Sequence, residues 1–234
     1  MYEGVHAHPD GDATVARHAL RARDAGYDGV VVRNHGDRQA DYDAARIAEA
    51  YDVDVVRGVE LRTDDRGQLS GLIDSYRGKR TVLAVHGGDT VTNRFACEQA
   101  TVDVLAHPLR GDGDVNHVLV KAAERNGVRL EFDFADVLRA DGGPRVQAIG
   151  GLRKLREIVE HYDAPFVVSA DPRSHLQLRA PRELVAVGEA IGFTAEQVRE
   201  GLREWGRLAE RNRERASESF IEPGVRRGEY EEDA

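Results

Sequence analysis

The sequence predicts a single parallel β/α barrel, closed or slightly irregular, and three observations support this fold. Short apolar segments typical of strands recur along the chain, amphipathic helical segments separate them, and each apolar segment is followed by a polar side chain able to ligate a metal or exchange a proton. Alternation of strands and helices repeated about seven times is typical of parallel α/β folds. A chain of 234 residues is long enough for one such barrel.

The predicted strands are mostly continuous apolar runs rather than alternating ones. This pattern is expected for parallel strands that are buried on both faces. The runs cover residues 3–6, 29–33, 53–59, 81–86, 102–106, 128–132 and 165–169.

Helical segments fill the intervals between these strands. The first is expected to follow a cap at Asp12, and the fifth to stop at Asn126-Gly127. The last long helix opens with the capping box Thr194-x-x-Gln197 and places Trp205 on its core face. Predicted helices cover residues 13–25, 41–51, 68–76, 93–99, 115–126 and 146–162, and a last one starts at 194. We expect residues 1–212 to form the barrel and 213–234 a flexible acidic tail.

The charge balance is acidic and poor in lysine. The formal net charge is -9, and among 33 basic residues only Lys79, Lys121 and Lys154 are lysines. Such a surface suits a salt-rich cytoplasm, where salt screens the repulsion between carboxylates. It also argues against RNA binding through a general basic surface, so any contact with nucleic acid is expected to be local and made by arginines.

Cysteine usage and hydropathy indicate the compartment. Cys97 is the single cysteine and cannot form an internal disulfide, which suits a reducing cytoplasm. The first residues lack a charged leader followed by a long apolar stretch, and no apolar run approaches 18 residues. We therefore expect a cytoplasmic protein that is neither secreted nor inserted in a membrane.

Polar side chains at the strand ends are the strongest functional signal. A barrel brings the carboxyl ends of its strands to one mouth, where the active sites of such barrels lie. Histidines and carboxylates gathered there could hold Zn, Mn or Fe and activate water for phosphoester hydrolysis. The predicted ligands are His6, His8, His35, Glu60, His86, His107 and Asp171.

This series resembles the polymerase-and-histidinol-phosphatase (PHP) family of metallohydrolases. His6-Ala7-His8 is similar to the H-x-H that opens the family's ligand set, and later histidines and Glu60 fall where further ligands are expected. The closing D-x-H of the family is altered, because Asp171 is followed by Pro172 and Arg173, with His175 displaced by two positions.

Collinear segments over nearly the whole chain resemble the ribonuclease P protein component 3 family, the archaeal relative of the thirty-kilodalton eukaryotic subunit. The similar segments are Gly87-Gly88-Asp89, Asn93-Arg94, residues 102–108 and 114–123, the closing stretch from 169–171 through 179–184, and then Gly188 and Ile191-Gly192. The resemblance implies a subunit of the enzyme that removes the 5′ leader of precursor tRNA. It implies that the RNA subunit carries the Mg-dependent cleavage, and that this chain pairs with a small α/β protein, joins the other protein subunits and needs no cofactor of its own.

Three functions remain open at this point. The chain is a subunit of an RNA enzyme, a PHP-type phosphoesterase acting on a small phosphate ester, or a scaffold outside RNA processing. Arginine in place of a metal ligand favours the first over the second, although a guanidinium also binds phosphate well. We expect RNA contacts from arginines near the strand ends, since the forked guanidinium matches a phosphate. These are Arg33, Arg94, Arg110, Arg173 and Arg179.

Overall fold

A computed structural model describes residues 1–63, 65–217, 220–222 and 225–226. Seven parallel strands form one sheet in which each strand pairs with the next along the chain. The predicted barrel is confirmed, and every predicted strand is present with ends shifted by one or two residues. The strands are β1 (Tyr2–Val5), β2 (Gly29–Val32), β3 (Asp54–Leu61), β4 (Val82–His86), β5 (Val104–Ala106), β6 (Arg129–Asp133) and β7 (Phe166–Ser169).

The barrel is nearly closed, and side chains connect its first and last strands. The Glu3 carboxyl group of β1 accepts hydrogen bonds from Ser169 Oγ at 2.6 Å and from the backbone N–H of Ala170 at 3.2 Å. Beyond the strands, the backbone N–H of His6 donates to the carbonyl of Pro172 at 3.1 Å. Burial raises the pKa of Glu3 to about 8, so its carboxyl stays largely protonated at neutral pH in this seam.

Nine helices are found in the described part of the chain. The predicted helices are confirmed, but Thr14 rather than Asp12 caps the first one, because its Oγ1 accepts from the N–H of Arg17. The predicted stop at Gly127 is confirmed by its left-handed φ of 66°. Two helices, α6 and α8, lie outside the predicted segments. The helices are α1 (Val15–Ala25), α2 (Ala44–Tyr51), α3 (Arg66–Arg77), α4 (Thr90–Cys97), α5 (His117–Asn126), α6 (Ala135–Arg139), α7 (Gly142–His161), α8 (Pro181–Ile191) and α9 (Ala195–Arg215).

Helix α9 packs against the amino ends of the strands. Its capping box is present as predicted, with Thr194 and Gln197 each accepting from the other's backbone N–H. Trp205 is fully buried, donates its indole N–H to the carbonyl of Val168 at 3.0 Å, and packs with barrel residues such as Val31 and Val104. The predicted position of Trp205 in the core is confirmed. The carboxyl end of the barrel is thereby left to the polar side chains.

The predicted boundary between residues 212 and 213 falls inside α9, which continues to Arg215. A short antiparallel pair follows, β8 (Phe220–Glu222) with β9 (Val225–Arg226). The acidic end of the predicted tail, residues 227–234, lies outside the described residues. No helix in the described part of the chain has the length and apolar character needed to cross a membrane.

Candidate functional site

Four histidines at the carboxyl ends of four strands form a row. The ring centroids of His6 and His35 are 5.1 Å apart, those of His35 and His86 are 5.4 Å apart, and those of His86 and His107 are 4.8 Å apart. They lie at the carboxyl ends of β1, β2, β4 and β5. They are close together because the carboxyl ends of parallel strands meet at one end of a barrel. The predicted convergence is therefore observed for these four residues.

Glu60 is the carboxylate that this row shares. It is fully buried at the end of β3, and its oxygens lie 3.4 Å from His35 Nε2 and 3.4 Å from His107 Nε2, with His86 Nδ1 in contact as well. Burial alone would raise the pKa of Glu60, but the neighbouring Arg33 guanidinium and the His107 imidazole hold it well below its usual value. The group is thus ionised and surrounded by donors.

Arg33 occupies the centre of the site. Its guanidinium is fully buried, with nitrogens 3.2 Å from Glu60, 2.8 Å from Glu131 and 2.9 Å from Asp171, and it lies 5.6 Å from the centroid of the Trp205 ring. This geometry corrects the prediction that Arg33 contacts RNA, because no phosphate can reach a side chain without exposed surface. Buried charges persist only when they are paired, and here one cation pairs with three carboxylates.

Asp10 takes the position expected for His8. The Asp10 carboxylate lies 2.7 Å from His6 Nδ1 and 2.8 Å from His35 Nδ1, whereas His8 is exposed and makes none of the contacts of this cluster in the described part of the chain. The chain leaves strand geometry at Val5, so His6 and His8 do not follow the two-residue alternation that would place them on one side. The prediction of His8 as a ligand is therefore corrected.

Asp171 and Arg173 complete the rim. Asp171 Oδ1 lies 3.1 Å from His6 Nε2. Burial would raise the pKa of the Asp171 carboxyl, but His6 and Arg33 outweigh this effect and hold the pKa far below its usual value. Arg173 reaches Asp10, with a nitrogen 3.1 Å from Oδ1. The backbone φ values of His107 and Asp171 are 50° and 45°, a left-handed conformation that is costly for these residues and concentrates at functional sites.

The remaining predicted RNA contacts lie apart from one another. Arg110 is half-exposed and lies 3.7 Å from Asp133 and 3.8 Å from Asp171 at the rim. Arg94 is exposed and pairs with Glu98 on its own helix. Arg179 donates to the carbonyl of Leu176 in the segment after β7. These arginines are engaged locally and do not form a common surface.

We call the buried network at the carboxyl end the mouth cluster. The chemistry of its donors fits a divalent cation, because imidazole nitrogen and carboxylate oxygen are ligands that suit Zn, Mn or Fe. Such an ion would supply an activated water. Among the residues that the structure describes, three groups offer ligand atoms within 4.8 Å of one another: His6 with Asp10 and His35; His6 with His107 and Asp171; and His35 with Glu60 and His86. The cluster consists of His6, Asp10, Arg33, His35, Glu60, His86, His107, Glu131 and Asp171.

Comparison with known proteins identifies the family. The model of the family described as RNase P subunit p30 matches residues 1–217. The chain belongs to the RNase P subunit p30 family. It is 66% identical over its whole length to the ribonuclease P protein component 3 of Haloarcula marismortui and 61% identical to that of Halobacterium salinarum, each covered completely. The family predicted from the sequence is confirmed, and these source organisms agree with the salt-rich habitat that the acidic, lysine-poor composition indicates.

Solved structures support the same fold. A chain in the cryo-EM structure of archaeal ribonuclease P with mature tRNA matches with a TM-score of 0.81 and 21% identity, with complete coverage of both chains. Histidinol phosphate phosphatase from Lactococcus lactis, solved with zinc, L-histidinol and phosphate, matches with a TM-score of 0.54 and 12% identity over 82% of this chain and 94% of that one. At these identities the likeness concerns the fold alone, which is the PHP-like barrel that the sequence predicted.

Proposed function

We propose that this ribonuclease P subunit supports the catalytic RNA in removing the 5′ leader of precursor tRNA and does not itself perform the cleavage. One observation carries the proposal: Arg33 lies among Glu60, Glu131 and Asp171. Its guanidinium supplies to these carboxylates the positive charge that metal ions would otherwise supply. An arginine cannot activate water as a Lewis acid does. The mouth cluster is thus stabilised as a protein interior rather than arranged for hydrolysis.

The partners follow from the same proposal. The catalytic RNA with its Mg²⁺, a small α/β protein subunit and the remaining protein subunits would surround this chain, and precursor tRNA would be the substrate of the assembly. Two findings support it: the match to the RNase P subunit family over residues 1–217, and the structural likeness to a chain of an assembly solved with mature tRNA. A cytoplasmic location agrees with one buried thiol at Cys97.

The test is a reconstitution assay with precursor tRNA. Protein alone, RNA alone and the full particle are compared at several magnesium concentrations. We expect no cleavage at the mature 5′ end by RNA-free protein, and faster cleavage by the RNA when this chain and the other subunits are added. Correct trimming by RNA-free protein that His6→Ala abolishes and the exposed-histidine control His117→Ala preserves would assign catalysis to the protein. Hydrolysis of small phosphate monoesters with the same sensitivity would favour a phosphoesterase.

A second proposal concerns metal. The group His6, Asp10 and His35 keeps the capacity to hold one divalent ion of the Zn, Mn or Fe type, because Arg33 pairs with the carboxylates Glu131 and Asp171 on the other side of the cluster. Metal analysis of the purified chain should find such an ion in the wild type and in His117→Ala, but not in His35→Ala. Metal-free wild-type protein with an unchanged melting temperature after addition of each ion would contradict this proposal.

A further inference from the structure

A groove at the amino end of the barrel, opposite the mouth cluster, collects positive charge on a protein whose net charge is -9. Its walls come from β3, from the turn between α3 and β4, from the approach to β5 and from the last turn of α9, and it encloses about 660 Å³. We call it the amino-end groove. Its basic residues are Arg57, Arg77, Lys79, Arg80, Arg213 and Arg215.

Asp103 is the single acid among the described residues that line the groove, and Asp54, outside the lining, pairs with Arg213 at 2.8 Å. It is buried, and its carboxylate is already saturated: it accepts from Arg77 at 2.6 Å, from Arg211 at 2.7 Å, from Asn212 at 2.9 Å and from the backbone N–H of Leu83 at 2.8 Å. Asp103 therefore connects α9 to the end of α3 and to β4, and it has no free oxygen for the other cations. Its role is to build the groove rather than to neutralise it.

Four cations of the groove make no ion pair within the described part of the chain: Arg57, Lys79, Arg80 and Arg215. Arg57 and Arg80 lie 5.7 Å and 5.9 Å from the ring centroids of Tyr42 and Tyr76, and Arg80 also donates to Gln39. These contacts orient the guanidinium groups without cancelling their charge. By contrast, most arginines on the outer face of α9 pair with glutamates of the same helix.

The crowding of like charge is visible at Arg211, behind the groove. Burial lowers the pKa of this guanidinium, and the cations Arg129, Arg215 and Arg77 lower it further, against the opposing effect of Asp103. An anion in the groove would relieve this repulsion. Several forked guanidinium groups side by side suit phosphate oxygens, which they bind through two parallel hydrogen bonds.

We propose that the amino-end groove binds the phosphate backbone of an RNA strand. The proposal rests on the proposed function, since it takes the RNA of the ribonuclease P particle as the partner. Phosphate contacts dominate affinity for RNA, and they need exposed, unpaired cations rather than a positive net charge of the whole protein. Two of the arginines predicted to contact RNA at the mouth do not meet this need, because Arg33 is buried and Arg173 is bonded to Asp10. The groove therefore places the RNA contact at the end of the barrel opposite the predicted one.

The test compares two triple variants that change the charge equally at opposite ends of the barrel. The groove variant carries Arg57→Gln, Lys79→Gln and Arg215→Gln, three exposed residues without ion pairs in the described part of the chain. The matched control carries Arg17→Gln, Arg38→Gln and Arg182→Gln, which are also exposed and lie near the carboxyl ends of β1, β2 and β7. Binding of each full chain to a particle that contains the RNA and every other subunit is measured over a range of potassium chloride concentrations.

Each lost phosphate contact lowers the slope of log Kd against log salt by roughly 0.7 to 0.9. Since the groove variant lacks three cations, its slope should be smaller than the wild-type slope by roughly 2 to 3, whereas the slope of the control should equal that of the wild type. The same slopes for all three chains, or a loss confined to the control, would overturn the groove proposal. A groove variant that binds the RNA normally but loses a protein subunit would assign the groove to an acidic protein instead. Cleavage by particles with wild-type chain is recorded in parallel: absence of stimulation there contradicts the proposed function, independently of the slopes.

Discussion

The two ends of the barrel use similar side chains in opposite ways. At the carboxyl end, Arg33 and the histidines of the mouth cluster each lie within about 4 Å of a carboxylate. At the amino end, Arg57, Lys79 and Arg215 face solvent without such partners in the described part of the chain. Charges inside a low-dielectric interior stabilise or destabilise the fold, whereas charges at the surface cost little and remain available to another molecule.

This difference explains why a mouth that resembles a metallohydrolase need not act as one. The row of histidines is a property of the fold, because strand ends converge whatever chemistry they carry. Arg33 changes the chemistry of the side chains that converge there. Its guanidinium satisfies the carboxylates from within the barrel, supported from below by the Trp205 ring. The mouth cluster then contributes to a stable subunit, and the recognition of RNA is assigned to the other end.

The largest expected effect comes from removing the central cation. Arg33→Met should lower the free energy of unfolding by about 3–5 kcal/mol, because Glu60, Glu131 and Asp171 are left buried without their common partner. The matched change Arg57→Met removes a surface cation and should cost less than about 0.5 kcal/mol. Denaturant unfolding of both variants measures the contrast. Similar small losses in the two variants would show that the charges of the mouth do not hold the fold.

The second prediction uses a histidine that lies beside the mouth cluster but lacks its carboxylates. His18 on α1 is buried and faces no carboxylate, and burial lowers its pKa from 6.5 to about 4 against the opposing effect of the His6 backbone. Between these pH values the unfolded chain binds a proton that the folded chain does not, so stability is lost as the pH falls. The loss from this group is about 3 kcal/mol between pH 7 and pH 4.

His18→Leu should remove this part of the acid sensitivity. The free energy of unfolding of wild-type protein, followed by denaturant titration between pH 7 and pH 4, should fall about 3 kcal/mol more steeply than that of the variant. His117→Leu, at an exposed histidine on α5, serves as the control and should follow the wild-type curve. Parallel curves for wild type and His18→Leu would mean that His18 becomes protonated in the folded state, with a partner or water that stabilises its charge.

The fold could be predicted because its signal is local and repeated. Seven apolar runs give seven strands, and Gly127 and the Thr194 capping box mark helix ends by chemistry that acts over a few residues. Helix α6 was missed because five residues are too few for a helical period. Helix α8 begins with Pro181 at a position that favours a helix start, which is a signal that the sequence did offer.

The site could be predicted only for residues whose position is determined by the end of a strand. His6, His35, His86 and His107 follow strands, so their convergence followed from topology. Asp10 lies in a loop, and no periodic pattern indicates where a loop carboxylate will point. Arg33 also follows a strand, but the sequence does not show whether an arginine turns to solvent or into the barrel, and the carboxylates that draw it inward come from residues up to 138 positions away.

The last prediction has the smallest expected effect and concerns salt. The carboxylate excess behind the net charge of -9 should make the protein more stable as potassium chloride rises from low to molar concentration, because salt screens repulsion between exposed charges. We expect a gain on the order of 1 kcal/mol, or roughly 2–4 °C in Tm. Buried pairs are screened much less, so Arg33→Met should show the same increment from a lower starting Tm. A wild-type Tm that stays constant over this range would contradict the surface-charge interpretation. An increase in Tm with salt that is seen in the wild type but not in Arg33→Met would show that the salt effect arises in the mouth cluster.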